Sequence, residues 1–299
     1  MNKNEKNLKS DIRKLIPTNI WKVLMRVRAS VSEGIDQSLT GFLTGVIRPF
    51  PLTVVANVKG KINRTGRLDY PGHNILMKVD THTQWLRLHA CKKEPETVTW
   101  LENSCKEGDV FYDIGANVGA YSLVAHAIMK GNCKIYAFEP SFSTFTALCQ
   151  NIQVNRYEEG IIPLQIALSE RTNLLTFNYS DVTPGAAGHS QGVTSQDIAA
   201  EFKQTLLSFS LDDLIDKFGL EIPNHIKIDV DGAELEILKG GSTTFRNSAM
   251  QSVLIEVDER KYPENEIQKI MTDYGFKLAE RHLRPNSKTL ANTIFQKVV

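Results

Sequence analysis

The chain has 299 residues, of which 41 % are apolar and 23 % charged, and its net charge is +1. That length suffices for one large domain or for one domain with an appendage, and the composition excludes a wholly disordered chain. The near-neutral total gives no global pull toward nucleic acid or an anionic membrane, so no nucleic-acid partner is expected.

The charge is uneven: residues 1–30 hold eight Lys or Arg against Glu5 and Asp11, a local excess of six positive charges. Residues 1–11 are polar and should fray. Residues 18–29 have a rough apolar helix face of Ile20, Trp21, Leu24 and Met25. The next stripe is clearer: Ile35, Leu39, Phe42, Leu43, Val46 and Ile47 follow a 3.6-residue period up to Pro49 and Pro51. A basic flank beside amphipathic helices is compatible with a peripheral membrane contact. The alternative is packing on the chain's own core or on a second copy in a homo-oligomer. No apolar run reaches the ~20 residues of a membrane span, and no apolar core of a secretory signal follows the basic residues. Cys91, Cys105, Cys133 and Cys149 form no CxxC pair and have no His cluster beside them, so reduced thiols and a cytoplasmic location are expected.

Leu52–Val58, Ile75–Val79 and Trp85–Leu88 are short apolar runs between turn signals at Gly60, Gly66 and Pro71-Gly72, and are expected as strands. Residues 94–101 are expected to be helical. From Asp109 the pattern alternates strand and helix: strands at 110–114, 134–138, 161–168, 225–230 and 253–257, with helices at 119–129, 141–155, 211–218, 233–239 and 264–274. Leu174–Tyr179 is expected as an antiparallel addition, residues 180–200 as a long loop, and the Pro285–Ser287 turn as the link between two closing strands. The fold class is therefore α/β, a doubly wound and mostly parallel sheet. The expected division is an extension of helices and short strands over residues 1–82 and a main domain over residues 83–299.

The strongest signal is Asp113-Ile-Gly115-Ala-Asn117-Val-Gly119, which follows a strand and opens a helix. Glycines at the carboxyl edge of a parallel strand allow a sharp turn and let a ligand approach the backbone. Asp113 would repel a phosphate, whereas it suits the sulfonium and amino group of S-adenosylmethionine. The run has neither a GK[ST] nor the dinucleotide G-x-G-x-x-G. Glu139, in Phe138-Glu139-Pro140, stands at the tip of the next strand, where an acid can accept both ribose hydroxyls. These features make Asp113, Gly115, Asn117, Gly119 and Glu139 the candidate cofactor contacts, with S-adenosylmethionine as the cofactor.

A third turn, Lys227-Ile-Asp229-Val-Asp231-Gly232-Ala233-Glu234, and a fourth acid, Glu256 after Val253-Leu-Ile, lie at further strand ends. Asp229 and Asp231 alternate, so they would face opposite sides if both lay in the strand. Glu234 would sit in a first helical turn, where capping is the competing role.

These motifs, with Ser210–Leu214 (SLDDL), Leu254–Glu259 (LIEVDE) and the lead-in Glu94–Val98 (EPETV), resemble the FkbM-type methyltransferases over residues 83–299. The resemblance implies a class I S-adenosylmethionine-dependent methyltransferase fold and O-methylation of sugars or other secondary metabolites. Where that family commonly has DVEGAE, this chain has Asp231 in place of the Glu.

Methyl transfer to a hydroxyl needs an aligned acceptor and a group to take its proton. Asp229, Glu234 and Glu256 are the candidate catalytic acids, Asp231 is a further candidate, and His189 in the long loop is an outside one. Asp229 is expected to matter most, with Glu234 assisting from the helix start. The oxygen-rich set could hold Mg²⁺ or Ca²⁺, yet no dedicated loop is visible and no metal is expected. The expected partner is a small-molecule or glycan acceptor. Two rival readings share the fold: a nicotinamide-dependent oxidoreductase, which the missing G-x-G-x-x-G disfavours, and a binding scaffold without catalysis, which the intact acids disfavour.

Overall fold

The computed structural model describes residues 44–45, 50–62, 64–191, 200–262, 265–285 and 287–298. The helix expected at 18–29 and nearly all of the apolar stripe at 35–47 lie outside the described residues. Contacts group residues 1–63 and 64–299 as two compact units. In the first, Leu52–Lys61 is an α-helix and not the expected strand. Its opening turn explains the difference: the Pro51 carbonyl accepts the amides of Val54 and Val55, and these local bonds outweigh the β-branched composition. No described helix is long and apolar enough to cross a membrane.

The second unit opens with an antiparallel pair, β1 (Thr65–Arg67) and β2 (Leu76–Lys78). The expected strand at 85–88 is instead a helix, His82–Arg87. Thr81 and Gln84 start it with a reciprocal capping box, a signal the apolar run conceals. Two further helices, Ala90–Lys93 and Pro95–Ser104, complete this front section.

Among the described residues the main sheet has seven strands, in the order β12 (Phe276–Leu283), β13 (Leu290–Lys297), β11 (Ser252–Asp258), β10 (His225–Ile228), β3 (Val110–Ile114), β4 (Lys134–Phe138) and β5 (Ile161–Leu164). β3, β4, β5, β10 and β11 pair in parallel, and β12 and β13 are antiparallel additions at one edge. The chain runs outward from β3 through β5, then returns to place β10 on the other side of β3. The crevice between the tips of β3 and β10 is therefore the topological switch point, where open α/β sheets bind ligands. Alternation on the strands feeds both faces: Phe111, Ile135 and Leu254 enter one apolar core, while Tyr112, Tyr136 and Ile255 enter the other. The architecture is thus α/β, a doubly wound and mostly parallel sheet with apolar cores on both faces.

The expected strand over 161–168 divides into β5 and β6 (Ala167–Leu168), which belong to different sheets. β6 joins β7 (Asn173–Tyr179), β8 (Ser190–Gln191) and β9 (Phe202–Phe209) in a second sheet, ordered β6-β9-β7-β8. β9 was not expected, and β8 interrupts what read as one long loop. The helix expected over 233–239 is Glu234–Gly240, which ends at its C-cap Gly241, and a second short helix, Ser242–Arg246, follows at once. Gly240 serves close approach: a Cβ there would meet the Ser169 carbonyl oxygen at 2.2 Å and Glu170 Cα at 3.1 Å. Gly240→Ala should therefore destabilise the fold by about 1–3 kcal/mol, as overpacked sites do. A urea midpoint equal to wild type would show that the helix can shift away freely.

Candidate functional site

A cavity of about 820 Å³ opens over the tips of β3, β4, β10 and β11, within the second unit. That volume is typical of a small-ligand site. One end is formed by the β3 and β4 tips. Gly115 turns the chain with φ +79°, and a Cβ on it would strike the Asp229 carbonyl oxygen at 1.9 Å. The turn at the switch point therefore needs glycine for both conformation and space. Asn117 also has positive φ, and its amide donates to Glu139 Oε2 at 2.9 Å. The Ser141 amide donates to Glu139 Oε1 at 2.9 Å. Burial pushes the Glu139 carboxyl up to about 7, against the opposing effect of those two amides.

The other end is a charged cluster. Lys227 is 2 % exposed, and its Nζ donates to Asp229 Oδ2 at 2.9 Å while lying 5.1 Å from the centre of the Tyr121 ring. Burial pushes the Asp229 carboxyl up, but the Lys227 ammonium overrides it and holds that carboxyl at about 2. Arg284 donates from Nε and Nη2 to Glu256 Oε1, the Nε bond measuring 2.8 Å, and its Nη1 lies 2.6 Å from Glu94 Oε1. Burial first, and the Asp229 charge second, push Glu256 up to about 7 despite Arg284. Glu94 moves the other way. Burial and Asp229 raise it, and Arg284 with Lys227 bring it below its ordinary value.

The segment 184–188 straps the front section to both ends. Thr81 Oγ1 donates to the Pro184 carbonyl at 3.3 Å, and Arg87 forks onto the Gly185 carbonyl at 3.1 and 2.9 Å. Asn117 Nδ2 donates to the Ala186 carbonyl at 2.9 Å, and the Gly188 amide donates to Asp231 Oδ2 at 2.6 Å. The shorter Asp231, standing where the family commonly has Glu, thus has a definite partner in this strap.

Of the residues expected to contact the cofactor, Gly115, Asn117 and Glu139 line the cavity. Asp113 and Gly119 lie behind its wall. Asp113 is fully buried and accepts Ser122 Oγ at 2.6 Å, and Gly119 begins the helix Ala120–Ile128 with φ +86°. Of the candidate acids, Asp229 and Glu256 are brought together on the cavity, and Asp231 joins them. β10 ends at Ile228, so strand alternation does not send Asp229 and Asp231 to opposite faces. Glu234 does not reach the rim: Tyr262 donates to its Oε2 at 2.7 Å and the Gly232 amide to its Oε1 at 3.0 Å. Its position at a helix start suggested a rim contact, whereas the structure turns it inward against Tyr262.

Sequence reasoning missed Lys227, Arg284, Glu94 and Arg87 as cavity residues. Lys227 and Glu94 stood inside motifs already singled out, so a strictly local reading could have marked them. Arg284 had no local signal, because only the β12–β13 hairpin brings it to the β11 tip.

Residues 113–278 match the family model of the Methyltransferase FkbM domain. The chain belongs to the FkbM methyltransferase family. It is accordingly a methyltransferase of the S-adenosylmethionine-dependent class. Among its relatives is the hexuronic acid methyltransferase AglP of Haloferax volcanii, 26 % identical over 203 residues that cover 68 % of this chain and 78 % of that protein. The 31-O-demethyl-FK506 methyltransferase FkbM of Streptomyces tacrolimicus is 28 % identical over 160 residues, covering 45 % of this chain and 60 % of that one. Among solved structures, the methyltransferase FkbM of Methylobacillus flagellatus KT aligns at a TM-score of 0.45 and 13 % identity, over 69 % of this chain and 60 % of that chain.

Proposed function

We propose that this FkbM-family enzyme methylates a hydroxyl of a sugar, glycan or secondary metabolite, using S-adenosylmethionine held at the switch point. The observation that carries the reading is the pairing, on one cavity, of the buried acid Glu139 at the β4 tip with an acid cluster at the β10 and β11 tips. The relatives' names support an oxygen acceptor, since one acts on hexuronic acid and another on 31-O-demethyl-FK506.

The residues present fit the cofactor. Glu139 keeps lone pairs for two ribose hydroxyls beyond its two backbone amides. Phe138, Ile166, Ala167 and Leu168 give a base an apolar wall. Asp229 and Glu94 supply fixed negative charge for a sulfonium and an amino group. When bound, S-adenosylmethionine supplies a methyl group on a positively charged sulfur.

Glu256 and Asp229 divide the remaining work, because their surroundings push the two carboxyls apart. Glu256, near 7, is the proton acceptor: Arg284 fixes Oε1, while Oε2 has no donor among the described residues and takes the hydroxyl proton. Asp229, held at about 2 by Lys227, is a poor base and acts as a fixed anion beside the reacting groups. Glu234 keeps a structural role through Tyr262.

The test is thermal unfolding with S-adenosylmethionine, S-adenosylhomocysteine and NAD. Either adenosyl ligand at roughly a hundred times its Kd should raise the midpoint by about 5 °C. A response to NAD alone would favour an oxidoreductase, and no response to any ligand would favour a scaffold.

A further inference from the structure

His189 is a polar group in the cavity that the mechanism leaves unused. It is 9 % exposed, lines the cavity, and its Nε2 has no hydrogen-bond partner among the described residues. The imidazole is held in place. Its ring lies 5.5 Å from Phe177 and 5.3 Å from Tyr179, centre to centre. The Ser180 amide donates to Nδ1 at 3.4 Å and the Ser180 hydroxyl lies 3.4 Å from the same nitrogen; because an amide can only donate, its contact favours the tautomer with the proton on Nε2. A buried donor without a partner is costly and calls for a ligand that satisfies it.

Its position favours one end of the cavity. Tyr179, which the His189 ring packs against, has its hydroxyl 3.3 Å from the Phe142 amide, three residues beyond Glu139. β7, which carries Phe177 and Tyr179, shares its sheet with β6, whose Ala167 and Leu168 give the cavity its apolar wall. Gly188, the neighbour of His189, donates to Asp231, whose charge acts on both Glu139 and Asp229, and among the described residues no bond or ring contact joins His189 to Lys227, Arg284 or Glu256.

We propose that His189 is a base-reading residue, whose Nε2–H donates to a ring nitrogen of the adenine. The proposal rests on the cofactor reading above and deepens it.

The experiment is calorimetry with S-adenosylhomocysteine and with methylthioadenosine, which keeps base and ribose but lacks the amino-acid end. His189→Ala should weaken both ligands on the order of tenfold, the loss expected when a buried hydrogen bond is removed and its partner left unpaired. His189→Gln, with an amide N–H near the Nε2 position, should recover most of the affinity. Unfolding midpoints within a few degrees of wild type would show that both variants fold. A folded His189→Ala protein with unchanged affinity for both ligands overturns the proposal. So does a penalty seen only in the KM of the acceptor, which would place the imidazole against the acceptor instead. Failure of the wild-type protein to bind either ligand overturns the cofactor reading itself, which separates the two failures.

Discussion

Replacing Glu256 with glutamine is expected to slow methyl transfer by about 10²–10⁴, the usual contribution of a positioned general base. The affinity for S-adenosylhomocysteine should stay within a few-fold of wild type. Arg284 divides the carboxylate unequally: both of its bonds to Glu256 fall on Oε1, so the other oxygen is the one available to the acceptor. Glutamine keeps the shape and one oxygen for Arg284, and Arg284 retains Glu94 as a charge partner. The variant should therefore fold. What it loses is the ability to take a proton. The pH profile gives an independent check, because the ionised carboxylate is the active form. Lowering the pH through about 7 protonates Glu256 and should reduce the wild-type single-turnover rate, while the glutamine variant should lack that limb. A glutamine variant at full rate would remove Glu256 from the mechanism and return the task to Asp229.

Much of the sheet was legible because its strands are short, apolar and separated by glycine-bearing turns. β3 and β4 were read to the residue, and the antiparallel β7 was anticipated. The failures share a cause, which is that periodicity is weak where tertiary or capping interactions decide. Trp85 and Leu86 look like strand residues, yet the Thr81–Gln84 capping box starts a helix there. Ile161–Leu168 is a continuous apolar run apart from Pro163 and Gln165, and nothing in its composition says that its last residues pair with β9 instead of continuing beside β4.

The position of the cavity acids was legible wherever a motif coincided with a strand tip. Glu139, Asp229 and Glu256 were placed on that ground, and the structure brings all three to one cavity. Glu234 shows the limit of the approach. A carboxylate in a first helical turn can point outward to a ligand or inward to a core hydroxyl, and the sequence near it does not reveal that Tyr262 lies within reach. Asp113 shows another limit. Charge matching put it on the ligand, but β3 carries it into full burial against Ser122, behind the wall it was expected to form.

Glu139→Ala should cost roughly 10²–10⁴ in affinity for S-adenosylhomocysteine, from losing two charge-assisted hydrogen bonds of about 1.5–3 kcal/mol each. The structure adds a second contribution, because the same carboxylate anchors the Asn117 and Ser141 amides. Truncation therefore loosens the β3 turn as well as removing the proposed ribose contacts. Glu139→Gln separates the two effects: it can still hold one amide and accept one hydroxyl, so its loss should fall between wild type and alanine. The acid has its own pH signature. Burial leaves the Glu139 carboxyl near 7 in the free protein, and the ionised form is the better acceptor for hydroxyl donors. Affinity should thus weaken as the pH falls through 7, and Glu139→Gln should flatten that dependence. The Glu139 limb belongs to the Kd of the cofactor product and the Glu256 limb to the rate of the chemical step, so two acids with similar values remain distinguishable. If the alanine variant lost less than about threefold, the ribose would have to be held elsewhere, since even one charge-assisted bond removed from a buried site costs more than that.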